Sequence, residues 1–306
     1  MPIASHDRPQ RADIITTYAE LERFVSAFAD GKIDNTVLII GASGLQKSRL
    51  VADVLGNRAH TIRGQTTPYG LYHELFLHRD EPLVFDDLDG LFADRTAVRL
   101  LKCLLETNPI KTVAWHTRAA RQDGLPSQFQ TGSRVILITN LWKTLNAHVA
   151  AIEDRAHVLS FEPPPREVHL RVATWLWDQE IFDFIGEHLG LIRWPSMREY
   201  ILAWEQKHSD LPWREYLLGR WLSGKQLLVA QLQADRRFAT EADRVAAFIA
   251  RGGGCKSTYY NILKCLPETV DPPRVTLTNR PPSDGPEVAP GVLDLLRKRH
   301  GTWGNG

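Results

Sequence analysis

Short apolar strands alternate with helical segments over residues 35–165, and a glycine-containing loop joins the first of these strands to a helix. From Arg166 to about Trp221 the apolar spacing is helical throughout. Together these observations predict an α/β protein, because continuous apolar strands separated by helices imply a parallel sheet covered on both faces. The expected architecture is a five-stranded parallel αβα domain over 35–165. A helical segment over 166–221 and a small helical C-terminal segment over 222–266 follow it.

The strands expected in order are Val37–Ile40, Ala59–Ile62, Pro82–Phe85, Arg134–Thr139 and Ala156–Phe161. Residues 1–14 read as a loose leader, and Tyr18, Leu21, Phe24, Val25 and Phe28 follow helical spacing, so 1–34 is a leader and one helix. A helix is expected over Arg95–Glu106, then a polar stretch containing Trp115, Gly124 and Pro126. Trp115 and Trp142 fall in loops, and the sequence does not separate pore lining from packing for either. Turns in the helical half are expected at Gly186, Gly190, Pro195 and Pro212, and 222–240 reads as a connecting helix. Residues 267–306 hold seven of the eighteen prolines, which favours a disordered tail.

With 306 residues, 43% of them apolar, the chain is long enough for two domains and a sizeable core. A formal net charge of +1 supplies no global attraction to nucleic acid, so any DNA contact must come from a local patch. Three scattered cysteines form neither a disulfide framework nor zinc-ligand spacing, which points to a reducing compartment. No signal-peptide core or membrane-length apolar run is present in the sequence. A soluble cytoplasmic protein is expected.

The stretch VLIIGASGLQKSRL, residues 37–50, carries the most chemistry. It has the strand–loop–helix layout of a phosphate-binding loop, G-x-x-x-x-G-K-[ST], with Gln46 where the pattern has its second glycine. Backbone N–H groups along Gly41, Ala42, Ser43, Gly44, Leu45 and Gln46 would cradle phosphate at a helix N-terminus. Lys47 would supply a point charge, and the Ser48 hydroxyl suits Mg²⁺. Asp86 and Asp87 close an apolar strand, where Asp86 would hold Mg²⁺ through water and Asp87 would orient or deprotonate an attacking water. Asn140, closing the strand VILIT, would reach the γ-phosphate and position that water. Arg155 would neutralise transition-state charge on a neighbouring subunit's nucleotide. Ser196 would cap a helix from which Arg198 could lean onto the phosphates.

Taken in this order, the residues resemble the AAA+ ATPases from about residue 35 to 220. Gly41, Lys47 and Ser48 match Walker A; Leu83–Asp87 match Walker B; Asn140 matches sensor 1, Arg155 the arginine finger and Arg198 sensor 2. The resemblance implies an αβα domain with a helical lid over 166–221, and ATP with Mg²⁺ as cofactors. It further implies a homo-oligomeric ring or filament with ATP between subunits, hydrolysing it to move DNA, RNA or protein. P-loop kinases share the first motif only. Asp87 stands where the family usually has glutamate, so Gln46 and Asp87 are the two departures.

A second informative stretch, TEADRVAAFIARGGGCKSTYYNILKCL over 240–266, reads as two helices around a triple-glycine turn. It resembles the helix-turn-helix of transposase and resolvase DNA-binding domains, whose recognition helix ends in -STYY-. Tyr259 and Ile262 would face inward, leaving Lys256, Ser257, Thr258, Tyr260 and Asn261 for phosphate or base edges. A helical hairpin used for packing or for a protein partner is the competing reading. The chain is therefore expected to be an ATPase acting on DNA in replication, transposition or mobile-element maintenance. The alternative is a nucleotide-gated DNA-binding or scaffold protein with little hydrolysis.

Overall fold

The computed structural model describes residues 9, 11–64, 66–87, 94–116, 123–140, 142, 147–176, 178–192, 196–222, 224–235 and 237–266. The chain divides into two compact units, 1–163 and 164–306. The proline-rich tail 267–306 and the turn expected at Pro195 lie outside the described residues.

The strands of the first unit are β1 (Asp13–Ile15), β2 (Thr36–Ile40), β3 (His60–Arg63), β4 (Leu83–Asp86), β5 (Lys111–Ala114), β6 (Gln128–Thr131), β7 (Val135–Thr139) and β8 (Ala156–Phe161). Six of them form one sheet in the order β1-β8-β2-β7-β4-β3, and every pairing in it is parallel. All five residues of β2 and of β7 are buried, which is why both read as unbroken apolar runs. Because the strands are parallel and adjacent, β2, β7 and β4 deliver their C-terminal residues to one edge of the sheet.

Helix α1 (Tyr18–Ala29) begins with a capping box: Thr17 accepts from the Glu20 N–H, and the Glu20 carboxylate accepts from the Thr17 N–H, both at 3.2 Å. Leu21, Val25 and Phe28 bury its apolar face completely. Helices α2 (Lys47–Leu55), α3 (Pro68–Leu77), α4 (Arg95–Leu104) and α5 (Ala147–Glu153) follow among the described residues.

Two expectations need correction here. The segment read as a loose leader contributes β1, which pairs with β8 as a sixth, edge strand. Three residues are too few to show a period, so only pairing reveals the strand. The polar stretch around Trp115 contains the antiparallel pair β5–β6. Val113 and Phe129 turn inward from it, and the Tyr72 hydroxyl of α3 donates to the Pro126 carbonyl at 2.6 Å. Trp142 is a packing residue, 2% exposed, with its indole N–H donating to Glu153 at 2.7 Å.

The second unit is helical: α6 (Pro165–Val172), α7 (Gln179–Glu187), α8 (Met197–His208), α9 (Trp213–Trp221), α10 (Gly224–Ala234), α11 (Glu241–Ala250) and α12 (Lys256–Cys265). Gly186, expected at a turn, is buried within the last turn of α7. His169 on α6 is fully buried, stacks on Phe182 at 3.8 Å and sits 2.9 Å from the Tyr200 hydroxyl. Burial pushes its imidazole down to about 4, so it is neutral at physiological pH.

The segment expected as a plain connecting helix does more than connect. Val229 and Leu232 of α10 form one cluster with Val245, Phe248 and Tyr259. Tyr259, fully buried, donates to Glu241 at 2.8 Å and accepts from Gln233 at 2.8 Å. At the triple-glycine turn Gly252 has φ +74°, and a Cβ on Gly253 would collide with the Phe248 ring. No helix among the described residues is long and apolar enough to cross a membrane.

Candidate functional site

The phosphate-type loop leaves β2 at Gly41, whose N–H donates to the Thr139 carbonyl of β7 at 3.2 Å. A Cβ at Gly41 would stand 2.8 Å from the Phe161 carbonyl oxygen, so only glycine fits between β2 and β8. The loop then turns through Gly44, with φ +82°, to Gln46. Gln46 is the N-cap of α2 and lies in the left-handed region at φ 57°, ψ 24°. Its side chain makes no capping hydrogen bond, so it satisfies none of the N–H groups opening α2. From the other side, buried Tyr18 of α1 donates to the Leu45 carbonyl at 3.1 Å.

Lys47 is 5% exposed. Its ammonium donates to the carbonyls of Gly41 (2.7 Å) and Ala42 (2.9 Å) and to Asn140 Oδ1 (3.2 Å). Asn140 in turn donates through Nδ2 to Asp87 Oδ1 at 2.9 Å. With an ammonium on one side and a carboxylate on the other, only this orientation of the amide satisfies both contacts. Beside this chain, the Ser48 hydroxyl donates to Asp86 Oδ1 at 2.6 Å, and Arg63 Nε donates to Asp86 Oδ2 at 3.1 Å. Asp87 is also in the left-handed region, at φ 61°.

The structure thus brings Lys47, Ser48, Asp86, Asp87 and Asn140 together at one edge of the sheet. It adds Arg63 and Tyr18, which the sequence reading did not select as site residues. Arg63 faces Asp86 because β3 and β4 pair in that register, a relation that a single sequence does not display.

Arg155 is not part of this cluster. It precedes β8, whose Ala156 pairs with Thr36 at the opposite end of β2, and four strand residues span about 13 Å. Its guanidinium donates to the Ala151 carbonyl at 2.7 Å. Arg134, another strand-end arginine, is engaged with the Phe28 carbonyl and lies over the Phe28 ring. Two further arginines that could serve as a finger, Arg118 and Arg121, lie outside the described residues. Arg198 is exposed in the first turn of α8, its N–H held by the Ser196 hydroxyl at 3.3 Å. On α12, Lys256, Ser257 and Asn261 are exposed, while Thr258 and Tyr260 are half-buried. Tyr260 packs edge-on against Tyr259, with ring centroids 5.4 Å apart.

An uncapped helix start and a hydroxyl–carboxylate pair of hard oxygen donors fit a magnesium-bound nucleotide phosphate chain.

No protein-family model matches the chain. A phage T4 protein, described as an uncharacterized 36.7 kDa protein of the nrdC–mobD intergenic region, is 29% identical over 118 residues. That match takes in 35% of this chain and 36% of the phage protein, so the chain spans about a third of its relative's length. Among solved structures, a mutant of Thermotoga maritima RuvB is similar with a TM-score of 0.41 and 11% identity, over 80% of this chain and 86% of that one. Brucella abortus NtrX in complex with ATP gives 0.37 and 15% identity, over 95% and 61% respectively. The Saccharomyces cerevisiae Hsp104–ADP complex gives 0.35 and 13% identity, over 83% and 40%.

The left-handed backbone at Gln46 predicts that Gln46→Gly stabilises the first unit. A non-glycine residue pays roughly 1 kcal/mol there, partly offset by the freer unfolded chain of glycine. The thermal midpoint should rise by about 1–3 °C. A midpoint lowered by the same amount would mean that the glutamine arm makes stabilising contacts exceeding the strain.

Proposed function

We propose that the chain is an AAA+-type ATPase, with the nucleotide held between the 41–48 loop and the ends of β4 and β7. The observation that carries this reading is the convergence of Lys47 on Asn140 and of Ser48 on Asp86, partners 93 and 38 positions away in the chain. Mg²⁺, when bound, would neutralise phosphate charge, and Ser48 with Asp86 would hold it.

The ammonium of Lys47 has three donors, and the two loop carbonyls and Asn140 engage them. Phosphate binding would exchange the carbonyl contacts for stronger charge-assisted ones. Releasing Asn140 Oδ1 from Lys47 would leave that amide free to hold a water beside Asp87. Asp87 would accept the proton of this water as its oxygen attacks the γ-phosphorus and the bond to the bridging oxygen breaks. Arg155, at the far end of β8, would act on the nucleotide of a neighbouring copy, which is why hydrolysis would require an oligomer. Arg198 keeps the phosphate-sensing role that the AAA+ resemblance implies.

The left-handed backbone at Asp87 favours a short side chain, since aspartate tolerates that region better than glutamate does. The same strain, with Gln46 beside the phosphates, supports a second reading: a protein gated by nucleotide with slow turnover. Under either reading the exposed face of α12 is the proposed DNA contact, and a replication, transposition or mobile-element role is the setting proposed for it.

Lys47→Ala should reduce affinity for a labelled ATP analogue at least tenfold while circular dichroism stays unchanged. Retained affinity would remove the phosphate-loop assignment. Phosphate release measured with and without DNA separates the ATPase from the gated binder.

Arg155→Ala should bind nucleotide normally yet turn over poorly. Mixing it with the Lys47→Ala protein should restore activity, because hybrid interfaces pair an intact loop with an intact arginine. A mixture that co-assembles and stays inactive would place the finger elsewhere.

Lys256→Gln should weaken DNA binding on all sequences and reduce the slope against log salt by about one, as expected for a single phosphate contact. Asn261→Ala should instead alter preference among sequences. Unchanged binding in both variants would make the hairpin a packing element.

A further inference from the structure

A cluster of metal-ligating side chains lies away from the proposed nucleotide site. His60 opens β3, the edge strand, with its N–H donating to the Pro82 carbonyl at 2.9 Å. Glu74 sits on α3 and His78 caps its C-terminus, and four-residue spacing puts both on one helix face. His60 Nε2 is 3.2 Å from Glu74 Oε2, and His78 Nε2 is 3.8 Å from the same oxygen. One ligand atom from each residue lies within 4.8 Å of the others. A tetrahedral ion with bonds near 2.0–2.1 Å holds its ligand atoms about 3.4 Å apart, close to the two shorter spacings.

The ring orientation strengthens the case. His78 Nδ1 is 2.6 Å from Glu81 Oε1, so the ring donates its Nδ1–H to that carboxylate. In the neutral ring, Nε2 then keeps the lone pair that a metal ion would take, 3.8 Å from Glu74 Oε2. A carboxylate holding the outer N–H is also the arrangement that orients histidine ligands in metal sites.

We propose that His60, Glu74 and His78 bind a borderline divalent transition-metal ion of the zinc class, with Glu81 as the positioning residue for His78. Two imidazoles and one carboxylate suit Zn²⁺ rather than Mg²⁺ or Ca²⁺, which take oxygen ligands. The fourth position is left to water. The imidazole rings lie parallel with centroids 3.3 Å apart, whereas rings sharing a tetrahedral ion have centroids about 5 Å apart. Binding therefore opens the ring pair, and the side chains of His60 (28% exposed) and His78 (26% exposed) have solvent on one side in which to turn. The bound ion would cross-link the edge strand to the end of α3.

The test uses the full chain stripped with chelator and titrated with Zn²⁺ against a chromophoric competitor, with Mg²⁺ in parallel. One Zn²⁺ per chain should bind and raise the thermal midpoint, whereas Mg²⁺ should not compete. His78→Ala should lose more than about a hundredfold in affinity and Glu81→Gln about 10–100-fold. Lys47→Ala should bind Zn²⁺ like the unaltered protein. Visible absorption of the Co²⁺-substituted protein reads the coordination directly and should change in Glu74→Gln. Circular dichroism of the metal-free variants checks folding, and Glu81→Gln serves as the milder variant if His78→Ala does not fold. Absence of stoichiometric Zn²⁺ binding, or binding undiminished in folded His78→Ala and Glu81→Gln proteins, would overturn the site.

Discussion

A nearly buried ammonium, that of Lys47, sets the requirements for the edge of the sheet where β2, β4 and β7 end. A charge withdrawn from water must find acceptors, and here they are two carbonyls of its own loop and the amide oxygen of Asn140. Meeting that need turns the loop inward over the end of β2 and ties α2 to β7. The left-handed backbone at Gly44 and Gln46 is the conformation in which the chain makes this turn. Tyr18 then fixes the outside of the loop through the Leu45 carbonyl, so α1 supports the loop from outside the sheet edge.

Both departures from the Walker pattern coincide with strained backbone. Gln46 and Asp87 are two of the three non-glycine residues with positive φ among the described residues. At Gln46 the strain accompanies an N-cap that makes no side-chain hydrogen bond, leaving the helix start available to an anion. At Asp87 a short acidic side chain is tolerated, and Asn140 holds its carboxylate. Strain that is retained at a site of converging polar groups is the pattern expected where function, rather than stability, selects the conformation.

The second unit solves a different problem, that of packing short helices. Its first three helices bury His169 as a neutral ring, and its last three enclose Tyr259 with both hydroxyl contacts satisfied. Glu199, 7% exposed, has its carboxyl pushed up by burial while Trp221 and Arg220 partly counteract that shift. The folded chain therefore holds this proton more tightly than the unfolded one. Stability from this group falls as pH rises from the ordinary carboxyl value through the raised folded-state value, and protonation restores it. On α12 Lys256 and Asn261 remain in solvent while Tyr259 occupies the core.

Local chemistry in the sequence determined the α/β class, the strands β2, β4, β7 and β8, the glycine loop, and the Ser196 helix start. Each of these is written in consecutive residues, through apolar periods and caps, and needs no knowledge of distant contacts. The same holds for Lys47, Ser48, Asp86, Asp87 and Asn140 as site candidates, since each lies at a recognisable strand end or helix start. Tertiary structure alone decided that β1 joins the sheet, that Arg63 faces Asp86, and that Trp142 packs inward. It also decided that His60 meets Glu74 and His78. These relations depend on strand order and register. They are set by which apolar faces bury one another across long loops, so residues far apart in the chain become neighbours without any local mark of it.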